Sequence, residues 1–199
     1  MGSTAVPGVR RRADAQRNID TILAAALDAF ARDPEVTMTD IARAAGVGRV
    51  TLYGHFASRD VLLAASITKV LGDVNAVLDA ADLATGTATE ALARLTGGAW
   101  QVLDRCRGLR LAALKGLGEE SLRRHHAQVL GRLEEVIVRG RAEGDIRTDL
   151  PLPWLTATYY GLIHAAADEV DAGRLDRAAA GDTVATTLLA AFAVPADRR

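Results

Sequence analysis

Apolar residues recur at helical spacing along most of this chain, and that periodicity limits the possible folds more than any other feature. Six of them lie three or four residues apart on one face near the N-terminus: Ile19, Ile22, Leu23, Ala26, Leu27 and Phe30. Such spacing predicts an amphipathic helix. Helix-favouring Ala, Leu, Arg and Glu are abundant, whereas clusters of the β-branched and aromatic residues that favour strands are sparse. The sequence therefore predicts an all-α protein.

Glycine, proline and capping residues divide this pattern into about nine helices. Pro34 ends the first helix because it disfavours helical backbone in the residue before it. Thr37 is suited to cap a short second helix that Gly46 ends, and Ser58 to cap a long fourth one. We expect helices at about residues 12–32, 38–45, 49–55, 58–80, 88–105, 108–117, 120–143, 151–172 and 180–193.

Charge and cysteine content restrict the function classes. The chain has 24 Lys and Arg against 25 Asp and Glu, so it is not a general polyanion binder. Residues 1–69 carry 9 basic and 7 acidic side chains, a net charge of +2, which permits a local DNA-binding face without establishing one. The single cysteine, Cys106, allows no intrachain disulfide. No signal peptide or bilayer-length apolar run is recognised, and we expect a cytoplasmic protein.

Two short helices joined by a glycine-containing turn between residues 37 and 56 predict a helix-turn-helix. Its small apolar core would consist of Ile41, Ala45, Val47 and Leu52. The second of these helices carries four polar side chains in a short run: Arg49, Thr51, Tyr53 and His55. A helix that lies in a major groove needs such groups for phosphates and base edges, whereas a buried helix does not.

The pattern Thr37-x-x-x-Ile41-Ala42-x-x-Ala45-Gly46-Val47, followed by Thr51-Leu52-Tyr53-x-His55-Phe56, resembles the DNA-binding signature of the TetR family of bacterial repressors. The next segment, Arg59-Asp60-x-Leu62-Leu63, is similar to the one that usually follows it. The similarity covers about residues 15–65. With the helix pattern it implies a disordered tail at 1–12, a DNA-binding domain at 13–57, a connecting helix at 58–80 and an effector-binding and dimerisation domain at 81–199.

The resemblance implies phosphate contacts at three places. Thr37 and Thr39 would contact phosphates at the start of the second helix. Tyr53 and His55 would hold the DNA backbone from the third helix, with Thr51 nearby, and Arg59 would meet a phosphate at the start of the fourth. Packing at a helix end is the alternative for the aromatic residues, and for Phe56 we prefer it.

Base reading is assigned by the same resemblance to Arg49 and Val50. Arginine can bind guanine through two hydrogen bonds, and valine can contact the thymine methyl group. Gly48 stands where the family usually has Ser or Thr, so a helix cap is lost. Val50 stands where Gly or Ala is commoner. Arg10–Arg12 either reach a flanking groove or belong to a solvated tail.

The resemblance also implies that the C-terminal region binds a small molecule and pairs two subunits. Candidate cavity residues, each of which core packing also explains, are Trp100, Leu103, Leu111, Leu114, Trp154 and Tyr160. The last two helices carry apolar faces for a four-helix bundle between subunits, with internal core as the alternative. These faces consist of Leu155, Thr158, Tyr159, Leu162, Ile163 and Ala166, and of Val184, Leu188 and Phe192.

The function that the resemblance implies is a homodimeric transcriptional repressor released from a palindromic DNA operator by a small-molecule effector. An enzyme is disfavoured because the chain has no P-loop, no nucleophile elbow and no Cys/His cluster with metal spacing, and no cofactor or metal is expected. A helical protein-interaction module is the remaining alternative. The sequence does not specify the operator, the effector, the target genes, repression rather than activation, or whether Cys106 is redox-active.

Overall fold

The structure is a computed structural model that describes residues 7–195, with side chains from Ala15 onward. Apart from one isolated bridge between Ile146 and Ala193, this part of the chain consists of helices and their connections, which confirms the all-α prediction. It contains ten helices: α1 (Pro7–Arg32), α2 (Met38–Ala44), α3 (Arg49–His55), α4 (Arg59–Ala80), α5 (Ala88–Arg105), α6 (Arg107–Leu117), α7 (Glu119–His125), α8 (Ala127–Glu143), α9 (Leu152–Asp171) and α10 (Arg177–Phe192).

The first helix begins earlier than the sequence analysis predicted. Residues 7–12, which we assigned to a disordered tail, belong to α1, and Pro7 is its first residue. Proline suits that position because its φ is already helical and the first turn needs no N–H from it. Arg10–Arg12 therefore lie on helical backbone, although their side chains lie outside the description. The tail residues 1–6 lie outside the described part.

The single helix predicted at 120–143 is two helices, α7 and α8, which raises the count from nine to ten. They separate at His126, whose N–H donates to the Arg123 carbonyl at 3.0 Å, while its own carbonyl accepts from Leu130 at 2.9 Å. The hydrogen bond at His126 thus spans three residues, as in a 3₁₀ turn, where an α-helix would span four. Residues 119–130 contain neither Gly nor Pro, so the sequence around His126 did not predict this break.

The residues divide into two compact units. The first contains the described residues up to Lys69 together with Gly108–Leu122. Its core includes Ile22, Phe30 and Leu52, all with no exposed surface. The segment Gly108–Leu122, which the sequence analysis placed in the C-terminal domain, belongs to this unit because α6 approaches the end of α1 closely. A Cβ at Gly108 would lie 2.2 Å from the Phe30 carbonyl oxygen, so only glycine fits there.

The second unit contains Val70–Arg107 and the chain from Arg123 onward, with α5 packed between α8 and α10. Trp100 on α5 is buried against α10, where a Cβ at Gly181 would lie 2.9 Å from the Trp100 Cδ1 atom. Trp100 is therefore a core residue. The start of α5 is fixed by a capping box, in which Thr87 accepts from the Glu90 N–H and the Glu90 carboxylate accepts from the Thr87 N–H.

The apolar faces that we expected to pair two subunits are mostly core of this same unit. On α9 the buried members are Leu155, Tyr159, Ile163 and Ala166, and on α10 they are Val184, Leu188 and Phe192. The opposite side of α9 is solvent-exposed and presents Trp154, Gly161 and Ala165. The periodicity had located an apolar face correctly, but this face is needed to bury α9 and α10 against their own chain.

The connecting helix α4 is the one helix in the described residues that is long and apolar enough to cross a membrane by length and composition alone. Its most apolar side chains are used inside the protein. Leu62 and Leu63 are fully buried in the first unit, and Val74 and Leu78 are buried in the second. Buried core helices of soluble proteins meet the same criterion, so its hydropathy is accounted for by core packing.

Candidate DNA-binding surface and ligand cavity

The start of α2 is set by Thr37, as the sequence predicted. Its hydroxyl accepts from the Asp40 N–H at 3.2 Å and donates to the Asp40 carboxylate at 2.6 Å. This hydrogen bond, with the Arg43 guanidinium 2.9 Å away, lowers the pKa of the Asp40 carboxyl. The hydroxyl hydrogen of Thr37 is therefore already used within the protein. This placement differs from the expectation that Thr37 is free to donate to a phosphate.

A sharp turn carries the chain from α2 to α3. Gly46 has a φ of +66°, in the left-handed region that glycine adopts without strain. The N–H of Val47 donates back to the Ala42 carbonyl at 3.0 Å, which closes the turn. Gly48 then precedes α3 with extended backbone and offers no side-chain cap, as its departure from the family pattern indicated. The turn thus sets the direction of α3 through backbone hydrogen bonds.

Helix α3 is fixed by one inward residue and exposes most of the others. Leu52 has no exposed surface, and Phe56 just beyond the helix is 5% exposed, which confirms its prediction as core. The exposed side chains are Arg49, Val50, Thr51 and Tyr53, with Val50 89% exposed and Tyr53 43% exposed. An apolar side chain almost wholly in water, next to an arginine and a tyrosine, has the composition of a surface that contacts bases as well as phosphates.

Arg59 was expected to contact a DNA phosphate, but its side chain makes contacts within the protein. Its guanidinium donates to the carbonyl oxygens of Val36, at 3.4 Å, and of Pro34, and it lies 5.3 Å from the centre of the Phe30 ring. These contacts hold the segment before α2 against the start of α4, so Arg59 has a structural role in this unit. Thr39 and His55 are half-buried and lie at the border of the exposed surface.

The second unit contains a small cavity of about 70 Å³. Nine of its thirteen lining residues are aliphatic and come from α4, α5, α8 and α9, among them Val70, Val74, Ala99 and Leu103. The other four are Tyr159, Tyr160, His126 and His164. The cavity therefore has an aliphatic wall and an aromatic, hydrogen-bonding wall.

Two of the six side chains proposed for a cavity, Leu103 and Tyr160, line this one. The others lie elsewhere and correct the expectation. Trp100 packs in the core, and Trp154 is 60% exposed on the outer side of α9. Leu111 and Leu114 belong to the first unit, where Leu114 is 37% exposed. A tryptophan in a helix does not by itself predict a cavity, because such a large residue packs equally well in a core or at a surface.

Of the aromatic wall, only Tyr160 was among the predicted cavity residues. The ring of Tyr160 lies 4.4 Å from that of His164 and 5.3 Å from that of His126, centre to centre, and all three pairs meet edge to face. Tyr160 and His164 lie four residues apart on α9, which the sequence could have shown. His126 joins them because of the break between α7 and α8, for which the sequence contained no signal.

Tyr159 is 2% exposed and lines the same cavity. Its hydroxyl has no hydrogen-bond partner of normal geometry among the described residues. It interacts with the hydroxyl of Thr96, which itself donates to the Leu92 carbonyl at 2.7 Å. Burial raises the pKa of the Tyr159 phenol, so the group stays protonated and remains a donor.

Three other candidate sites are less well supported as binding sites: an open groove, Cys106 and a metal centre. A larger open groove beside α4 and α8 is lined by charged side chains that pair within the chain, as Arg132 does with Asp79. Burial raises the pKa of the Cys106 thiol more than Arg105 lowers it, which disfavours a thiolate sensor. In the described part of the chain, no group of three or more His, Cys, Asp or Glu is placed to hold a metal ion.

Two short helices joined at Gly46, with the outer side of α3 open to solvent, are the architecture of a helix-turn-helix transcriptional regulator. The family model of bacterial regulatory proteins of the tetR family matches residues 22–66, which contain α2, α3 and the start of α4. Residues 22–66 therefore form a DNA-binding domain of the tetR family of bacterial regulatory proteins.

Solved structures share the fold over most of the chain. A tetR family transcription regulator from Shewanella sp. PV-4 is 25% identical, with 89% of this chain and 99% of that one covered and a TM-score of 0.68. The TetR-like regulator LfrR from Mycobacterium smegmatis, in complex with proflavine, is 24% identical (90% and 98% covered, TM-score 0.70). FadR from Bacillus subtilis, in complex with stearoyl-CoA, is 20% identical, with 86% of this chain and 98% of that one covered and a TM-score of 0.70. No curated protein matches the sequence.

Proposed function

We propose that this TetR-family regulator is a cytoplasmic, non-enzymatic homodimer that represses transcription from a palindromic operator and leaves it when a small molecule binds. The observation that carries the DNA-binding part is the outer surface of α3, where Val50 is 89% exposed beside Arg49, Thr51 and Tyr53 while Leu52 fixes the helix. Nothing in folding the monomer requires so apolar a side chain in water, whereas a major groove lined with thymine methyl groups offers it a partner.

The four exposed residues of α3 divide the DNA contacts between them. Arg49 is proposed to donate two hydrogen bonds to a guanine, and Val50 to contact a thymine methyl group. Thr51 and Tyr53 are proposed to hold the phosphate backbone through their hydroxyl groups. Of the border residues, His55 and Thr39 would add contacts only at the edge of this surface.

Pairing of two subunits is proposed through the exposed sides of α9 and α10, with a second copy of this chain as the occupant. Helix-turn-helix dimers bind two half-sites about one helical turn apart, so one copy supplies only half of such a site. The outer side of α9 presents Gly161 and Ala165, which allow helices to approach closely, and ends in the exposed Trp154. On α10, Thr183 and Thr187 are exposed and are also small.

The 70 Å³ cavity is proposed as the effector site. Structures of two proteins of this fold contain small molecules, proflavine in LfrR and stearoyl-CoA in FadR. Val70, Leu71 and Val74 of the cavity belong to α4, which begins at Arg59, four residues after α3 ends. A ligand that moves this wall acts on the helix that follows the DNA-reading helix, and a small change in half-site spacing then weakens binding.

The DNA-binding proposal is tested with fragments selected from genomic DNA by the purified protein. Tyr53→Ala should reduce retention of the selected fragment in a gel-shift titration by about tenfold or more, with unchanged thermal unfolding. Val61→Ala is the matched control, because Val61 is also exposed in the first unit (47%) but lies on α4. Equal affinity of the Tyr53→Ala variant and the wild type would contradict the assignment of α3.

A further inference from the structure

We propose that the cavity of the second unit binds the carboxylate of a small organic anion, held by the imidazoles of His126 and His164 with the positive charge of Arg123 nearby. This inference rests on the proposed function in one respect only, that the cavity is the effector site. It goes further because it assigns the charge and the chemical class of the effector to named side chains.

The segment between α7 and α8 brings a positive charge and an imidazole to one ring. It reads Arg123-Arg124-His125-His126, and the His126 N–H donates to the Arg123 carbonyl, so these two residues lie one turn apart. The Arg123 guanidinium lies 5.3 Å from the centre of the Tyr160 ring, and the ring of His126 lies equally far from it. Arg123 is half-buried, whereas Arg124 is exposed. The first and last residues of this segment therefore lie beside Tyr160.

A second imidazole reaches the same place from α9. The ring of His164 lies 4.4 Å from that of Tyr160 and 5.4 Å from that of His126, centre to centre. Both imidazoles line the cavity. An imidazole has one N–H donor when it is neutral and two when it is protonated, whereas a carboxylate only accepts. Two imidazoles at one end of a cavity are therefore suited to bind the two oxygens of a carboxylate.

The charges around the cavity favour an anion over a cation. Among the described residues that line it, none is Asp or Glu. Asp168, one turn beyond His164 on α9, is exposed, so its charge is screened by water more than that of half-buried Arg123. A carboxylate beside the imidazoles stabilises their protonated forms, and the resulting hydrogen bonds are roughly twice as strong as neutral ones. A cation in the same place would be repelled by Arg123 and would gain no carboxylate partner from the lining residues.

The volume of the cavity fits a carboxylate group and little more. It is about 70 Å³, which corresponds to about two water molecules, because each takes up roughly 30 Å³ in the liquid. The two oxygens of a carboxylate need a similar space. The carbon attached to them would contact the aliphatic residues of the lining, among them Val74 and Leu103, where its burial is favourable. The expected ligand is therefore a short monocarboxylate.

The experiment uses three probes of one planar shape that differ in charge: acetate, acetamide and acetamidinium at pH 7, added to the full-length protein without DNA. Binding is followed by NMR through the imidazole C–H signals of the four histidines. We expect acetate to shift the signals of His126 and His164 to saturation and to leave that of His55 on α3 unchanged. Acetate should bind at least about tenfold more tightly than acetamide, and acetamidinium should not bind. Inorganic phosphate, which has no apolar surface for the aliphatic residues, should bind more weakly than acetate.

Neighbouring residues supply matched variants. Arg123→Gln should weaken acetate binding at least about threefold because it removes the nearby positive charge. Arg124→Gln removes the same charge from an exposed position and should leave the affinity unchanged. His126→Gln should weaken binding by about tenfold, and His125→Gln is its control. Circular dichroism checks that the variants are folded, and should His126→Gln not fold, the comparison of the two arginine variants still tests the inference.

Four outcomes would overturn the inference. These are acetamide or acetamidinium binding as tight as that of acetate, phosphate binding as tight as that of acetate, no saturating shift at His126 and His164, or equal acetate affinity in Arg123→Gln and Arg124→Gln. Release of the operator by acetate is measured separately in a gel shift. Failure of that release with acetate binding intact contradicts the cavity as the effector site and leaves the ligand class standing.

Discussion

Two exposed aromatic residues, Tyr53 on α3 and Trp154 on α9, lie on helices that the sequence described with unequal success. Tyr53 belongs to a seven-residue helix held by one buried leucine, and four of its side chains are exposed. Trp154 belongs to a twenty-residue helix with eight buried residues, and it is 60% exposed on the other side. The first helix is built to present side chains, whereas the second is built mainly to fill its own core.

The difference shows where a sequence pattern reveals function. In α3 the order of residues within one short segment sets which side chains point outward, because a single anchor, Leu52, fixes the helix. In α9 the apolar stripe fits equally well against the same chain or against another copy. Pairing with a partner was preferred to internal core as the role of this stripe, and the structure uses most of the stripe internally. The outer side of α9, with Gly161 and Ala165, is less apolar and was overlooked.

The largest effect is expected at adjacent residues on opposite sides of α9. Leu155 is 1% exposed and Trp154 is 60% exposed. Leu155→Ala should lower the free energy of unfolding by about 2–5 kcal/mol because it leaves a cavity in the core. Trp154→Ala should change it by less than about 0.5 kcal/mol at concentrations where the protein is monomeric. Urea denaturation measures both changes. Equal losses of unfolding free energy in the two variants would contradict the assignment of a buried and an exposed side to α9.

The next effect concerns subunit pairing. Ala165→Arg places a charge on the outer side of α9 and should convert the proposed dimer to a monomer, with at least about a tenfold weaker association. Sedimentation velocity over a range of protein concentrations measures it. Ala76→Arg, at an exposed position of α4, is the control and should leave association unchanged. A dimer that persists in Ala165→Arg would show that the subunits pair through another surface.

A smaller effect is expected at Val50 and is specific to one base. Val50→Ala should weaken operator binding by about four- to tenfold, the value of the apolar contact it removes. On an operator in which the contacted thymine is replaced by deoxyuridine, which lacks the methyl group, wild type and variant should bind nearly alike. Fluorescence anisotropy with both DNAs measures the coupling. The same loss on both DNAs would assign Val50 to a contact other than the methyl group.

The smallest effect is a pH dependence at the start of α2. Hydrogen bonding by Thr37 lowers the pKa of Asp40 below its ordinary value of 3.8. A lowered pKa in the folded state means that Asp40 stabilises the fold above about pH 3.8 and that this contribution is lost as the pH falls through the lowered pKa. The thermal midpoint of the wild type should therefore fall more steeply in that window than that of Asp40→Asn. Parallel curves would show that the Thr37 cap does not depend on the charge.

Much of the first unit could be predicted because its signals are local. Three of its residues have the roles that the sequence indicated. Thr37 caps α2, Gly46 forms a left-handed turn, and Phe56 is buried at the end of α3. Arg59 could not be placed this way. Its partners, Pro34 and Val36, lie more than twenty residues away and accept through backbone oxygens, which no side-chain pattern records.

The ligand cavity was beyond prediction for the same reason. Its walls come from four helices and from the break at His126, where the sequence contains neither Gly nor Pro. Tyr159 and Tyr160 are neighbours in sequence, yet a helical spacing cannot say that both border one empty space. A cavity is a place where packing is incomplete, and incompleteness depends on all the surrounding elements at once.

The sequence by itself determined most of the helices, the turn between α2 and α3 and the type of DNA-binding domain, because hydrogen bonding and capping act between residues only a few positions apart. The tertiary structure alone decided which side of α9 is buried, which carbonyl oxygens accept from Arg59, and which rings contact that of Tyr160. Burial is a property of distant segments brought together, so the same apolar stripe acquires its role only when its neighbours are in place.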